Sequence, residues 1–112
     1  MNMQSNFDFC DFAVTICDTD AIIIYMNEKA CKTFEKFGGK SLIGKSLFEC
    51  HKQASIETIK KMIKNKETNS YTILKNGEKK LIHQAPWYKD GKIAGLVELS
   101  IVIPENMPHF IR

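Results

Sequence analysis

Long apolar runs are missing from this 112-residue chain. The longest, Ala21-Ile22-Ile23-Ile24-Tyr25-Met26, has strand length and falls far short of the roughly 18 residues a membrane helix needs. The N-terminus lacks a charged-then-apolar leader, which argues against a signal peptide and predicts a cytoplasmic protein with no membrane partner. The four cysteines, Cys10, Cys17, Cys31 and Cys50, form no C-x-x-C pair, which argues against a structural zinc site. In a reducing compartment they are expected as free thiols, with Cys17 and Cys31 as small core filler. Charge of one sign is also scarce. Sixteen Lys+Arg against 13 Asp+Glu leave a net charge of +3. The lysines are spread over two solvent-facing segments, unlike the clustered basic surface of a nucleic-acid-binding domain. No Ser–His–Asp ordering, phosphate-cradling glycine loop or H-E-x-x-H occurs, so no catalytic residue is assigned and the chain does not read as an enzyme. Glu98, the one carboxylate inside an apolar stretch, reads as a surface residue.

Hydrophobic residues make up 44% of the chain, an ordinary globular share that suffices for one small core. Residues 12–17 are β-branched and aromatic and read as a strand. Asp18-Thr19-Asp20 supplies turn chemistry, and residues 21–26 form the second strand of a hairpin. Asn27 is a favoured helix N-cap, and Ala30, Phe34 and Phe37 recur at helical spacing until Gly38-Gly39. Residues 41–51 read as one or two brief helical turns with loop between them. Residues 55–66 give the clearest helix, with Ser55 as N-cap and Ile56, Ile59, Met62 and Ile63 on one stripe. A meander follows. Residues 70–75 and 79–88 are joined by Asn76-Gly77, a strong hairpin signal, and Asp90-Gly91 leads into residues 92–103. In that last strand Ile93, Val97, Leu99, Ile101 and Ile103 share an apolar face, while Ala94, Leu96, Glu98, Ser100 and Val102 share a mixed one. The expected class is α+β: a five-stranded antiparallel sheet with short helices and one longer helix packed on one face. Pro86 inside a strand implies an edge or a bulge.

This order of elements resembles a PAS domain. Ile24-Tyr25-Met26-Asn27-Glu28-Lys29-Ala30 is similar to the family's second strand running into its first helix. Ile43-Gly44-Lys45 is similar to the step before its short central helix. The resemblance covers residues 12–103, leaving 1–11 as an N-terminal cap or dimerisation segment and 104–112 as a tail. It implies a sensory signal-transduction module with a pocket between sheet and helices, a small-molecule ligand and a homodimer, with its output either in a partner protein or in a longer chain of which this is a fragment. The pocket is expected to draw on Ile59 and Met62 from the long helix and on Val97 and Leu99 from the last strand. Its cofactor is not fixed by the fold.

Three further residues are candidates for the site. His51, beside Cys50, is either a haem ligand of a redox or gas sensor or a loop histidine. His83 shares a strand face with Leu81, Ala85 and Trp87. It is either a polar group in the pocket, suited to a carboxylate, or a hydrogen-bonded core histidine. Trp87, beside Pro86 and Tyr88, either closes the pocket or anchors a partner. The cysteine-adduct flavin branch is excluded, because Gly44-Lys45-Ser46 runs into Leu47 and Cys50 falls too late.

Overall fold

The computed structural model describes residues 6–49 and 52–112. Five strands, β1 (Ala13–Asp18), β2 (Ile23–Met26), β3 (Asn69–Lys75), β4 (Glu78–Lys89) and β5 (Lys92–Val102), form one antiparallel sheet in the order β2-β1-β5-β4-β3. Two α-helices, α1 (Glu28–Thr33) and α2 (Gln53–Asn65), pack on one face of it with short 3-10 turns at Glu35–Phe37, Gly39–Leu42 and Leu47–Glu49. This is the expected α+β architecture. No helix among the described residues is long and apolar enough to cross a membrane.

Local chemistry explains the joints. Asp18 Oδ1 accepts the N–H groups of Asp20 and Ile22, each at 2.9 Å, and folds the first hairpin. Both meander turns place their two central residues at positive φ: Asn76 and Gly77 at 52° and 78°, Asp90 and Gly91 at 53° and 78°. That is the backbone a two-residue hairpin loop requires. Helix α2 begins two residues before Ser55, its first bond running from Ile56 N–H to the Lys52 carbonyl, and no side chain caps it. It stops at Lys66, which takes the left-handed conformation.

Asn27 does more than cap α1. Its Oδ1 accepts the Val14 and Ala30 N–H groups at 3.0 Å, and its Nδ2 donates to the Phe7 and Phe12 carbonyls at 2.8 Å. The residue is 1% exposed. One buried amide thus ties the N-terminal segment, β1 and α1 together, and a second tie runs from the Tyr25 hydroxyl to Asp8.

Pairing fixes which side chains face the helices. Cys17 and Leu96 are register partners and pack against Ile59 and Met62 of α2. Alternation then places Ala13, Thr15, Leu96, Glu98, Ser100, Ile82 and Gln84 on the helix side. Val14, Ile16, Val97, Leu99, Ile101, Leu81, His83 and Trp87 take the other side. The apolar face of β5 therefore points away from the helices, and its mixed face points toward them. Pro86 sits where β3 has ended, since β3 reaches only to the Asn69–Gln84 pair, and a bulge follows between Trp87 and Tyr88. An open edge and a bulge both occur where proline demanded one of them.

Gly95 completes the sheet. Its φ is 147°, and a Cβ there would lie 1.8 Å from the Cys17 carbonyl oxygen. The same carbonyl accepts the Trp87 indole N–H at 3.0 Å. The ring of β4 thus reaches across the glycine of β5 to the backbone of β1.

Candidate ligand-binding pocket

A cavity of about 190 Å³ lies between the sheet and the helices. Its walls are apolar. Ile23 and Met26 contribute from β2, Leu42 and Leu47 from the 3-10 turns, and Ile59 and Met62 from α2. Phe34 and the largely exposed Phe37 also line it. Ile59, Met62, Leu42 and Met26 are each buried, so this wall is packed from behind and holds its shape.

The floor is different. Thr15 of β1 pairs with Glu98 of β5, Glu98 with Gln84 of β4, and Gln84 with Asn69 of β3. Four polar side chains therefore form one row across four strands on the helix-facing side. Three of them are wired in sequence. Asn69 Nδ2 donates to Gln84 Oε1 at 3.1 Å, and Gln84 Nε2 donates to Glu98 Oε2 at 2.7 Å. The rows on either side carry Cys17 and Leu96, and Ala13, Ser100 and Ile82. Thr15, Gln84 and Glu98 line the cavity. Among the described residues no Lys, Arg or His lines it.

The electrostatics agree with this placement. Burial pushes the Cys17 thiol above its ordinary value, and the nearby Asp18 and Glu98 carboxylates add to that. Burial, and then the Glu98 charge, raise the Tyr71 phenol as well. Cys17, which lines the cavity, is thus held as a neutral thiol, inert as a nucleophile.

The residues singled out from the sequence divide into groups. Ile59 and Met62 line the cavity, and Val97, between Leu96 and Glu98, borders it. Leu99, His83 and Trp87 lie on the opposite face of the sheet. The physical reason is the strand alternation anchored by the Cys17–Leu96 pair, which turns the apolar side of β5 outward. His83 Nδ1 is within 2.6 Å of the Ser70 hydroxyl on that outer face. His51 and Cys50 lie outside the described residues. Sequence reasoning passed over Thr15, Cys17, Gln84, Leu96 and Glu98. The signal for Glu98 and Gln84 was the Pro86 bulge, which brings them into register.

The chain matches no family model and no curated protein. Solved structures do match it. A C-terminal domain from Streptococcus mutans aligns at 16% identity and TM-score 0.70, over 88% of this chain and 81% of that one. The PAS domain of an HTR-like protein from Haloarcula marismortui aligns at 16% identity and TM-score 0.63, over 90% and 88%. VqmA of Vibrio cholerae aligns at 18% identity and TM-score 0.66, over 90% of this chain and 50% of that one. These likenesses, together with the sheet order and the helices on one face, show that this chain has a PAS-like fold.

Proposed function

We propose that this chain is a sensory signal-transduction module that binds a small molecule between sheet and helices, works as a homodimer, and has no catalytic role. The observation that carries the reading is the cavity. Packed apolar walls enclose a floor with a few convergent polar groups, which is the usual make-up of a ligand site. The dimer reading is supported by the outer face of the sheet, where Leu99, Ile101 and Leu81 are only half-buried, and by the exposed Phe9 ring, 84% accessible. VqmA, about half of whose length this chain covers, is described as a dimer with a DNA target and has also been solved bound to DPO. The signal passes to a partner protein.

The haem alternative rests on His51, which lies outside the described residues. No histidine among them lines the cavity, and His83 points the other way. At about 190 Å³ the space is smaller than the roughly 300–1,000 Å³ of drug-sized ligand sites.

Native mass spectrometry, with an absorption spectrum, tests the reading. A low-mass adduct that Met62→Trp abolishes is expected. If neither co-purified nor added small molecules bind, the ligand reading fails. Light scattering should report a dimer that becomes a monomer when residues 1–11 are removed. A monomer at the outset would sink the dimer reading, and an unchanged mass after truncation would remove the N-terminal segment from it.

A further inference from the structure

We infer that the pocket selects a compact, single-ring-sized cation, an amine or related hydrogen-bond donor, with the Glu98 carboxylate receiving its charged end. The inference rests on the pocket reading above and adds to it the chemical class of the ligand.

Three observations lead there. Glu98 is the only formal charge among the described residues lining the cavity. It stands mid-floor rather than at the mouth, because its register partners on both sides, Thr15 and Gln84, also line the cavity. An unpaired carboxylate in apolar surroundings is costly unless a donor or a positive charge meets it.

Gln84 meets only part of that need. Its amide orientation is fixed by Asn69, which occupies its oxygen, so its NH₂ is turned to Glu98 Oε2. A carboxylate has two oxygens and about four acceptor sites. Among the described residues the Gln84 bond is the hydrogen bond that Glu98 accepts, and no side-chain cation is opposite it. The floor is therefore rich in acceptors and poor in donors. A ligand bearing a carboxylate or phosphate would face like charge in a low-dielectric site. A protonated amine would complete the row with a charge-assisted bond.

Volume sets the size class. An apolar cavity of roughly 150 Å³ takes up benzene, and this one measures about 190 Å³. One ring with a short polar arm fills it. The ring lies against Ile59, Met62 and Leu96 while the arm reaches the floor.

Binding of three single-ring probes to the whole chain tests this: benzylamine, benzoate and fluorobenzene, followed by calorimetry and, for the last, by fluorine NMR. Benzylamine should bind about tenfold or more tightly than benzoate. Glu98→Gln should remove that preference and leave fluorobenzene within about twofold. Glu98→Met gives the same comparison if the amide variant, checked by circular dichroism, does not fold. If fluorobenzene binds but benzoate matches benzylamine, or if the preference survives both variants, the charge selection is wrong and the pocket stands. If none of the three probes binds, the pocket reading falls and this inference falls with it.

Discussion

The two faces of the sheet are built on opposite principles. The face toward the helices is interrupted by a polar row of Thr15, Glu98, Gln84 and Asn69. The face away from the helices carries Val14, Ile16, Leu99, Ile101 and Leu81 and is the more uniformly apolar of the two. Ordinary packing logic puts the apolar face inside. Here the polar row sits above a cavity, where it has room to meet a guest. The apolar strip is partly covered by the chain itself: Val14 and Ile16 are buried, while Leu99, Ile101 and Leu81 are half-buried. Apolarity of a strand face therefore marks burial against something, and that something need not be the chain's own helices.

The register between these faces hinges on Gly95, so the largest effect is expected there. In Gly95→Ala the new Cβ meets the Cys17 carbonyl at 1.8 Å, and β1 and β5 must separate. Chemical denaturation should show a loss of about 4 kcal/mol or more. A near-wild-type midpoint would mean that the strands can slide and that the face assignment is not fixed. The direct comparison of faces comes next. Leu96→Ala, beneath α2, should cost about 3 kcal/mol, with assembly unchanged. Leu99→Ala should cost only about 1 kcal/mol while weakening the proposed dimer in light scattering. Equal losses of stability, with no change in mass, would erase the distinction.

Smaller effects sharpen it. Trp87→Phe deletes the indole bond to Cys17 and should cost about 1 kcal/mol. The pH dependence is the mildest. Burial and the Asp8 bond raise the Tyr25 hydroxyl, and burial raises the Cys17 thiol above 9.0. Both groups hold their protons more tightly folded than unfolded. Their contribution is complete below the unfolded values, near pH 9 and 10, and is lost as pH rises from there through the higher folded values. Urea midpoints should be flat from neutral pH to about pH 8.5 and fall above it. A Cys17→Ala variant should lose the earlier part of that fall.

Much of the fold was legible. Asn76-Gly77 sets the β3–β4 register through to the Asn69–Gln84 pair without interruption, and Asn27, read as an N-cap, is one. The site was harder. Counting back from Asp90-Gly91 without a bulge would pair Gln84 with Val97. The bulge at Trp87/Tyr88 shifts the partner to Glu98, and only then does the polar row align. Pro86 announced an irregularity, but a proline cannot say in which direction the register moves. The face assignment failed for a separate reason. Hydrophobic pattern records how much of a strand is covered, and it is silent on which layer does the covering. His83 and Trp87 share a face as expected, and pairing puts that face, with Leu99, on the side of the sheet away from the helices. The Ser55 cap missed by three residues: the N-cap position is Lys52, whose side chain makes no capping bond, and the helix is held by its packing on Cys17 and Leu96.

The bond from Trp87 to the Cys17 carbonyl has an optical consequence. Trp87 is the only tryptophan in the chain, and the residue whose carbonyl it grips also lines the cavity with its side chain. Emission excited at the red edge of the absorption band comes from this single indole. Any movement of β1 that accompanies filling of the cavity alters that indole's hydrogen bond, and with it the colour and lifetime of the light. The molecule carries its own reporter dye, wired through one peptide group to the space it would report on.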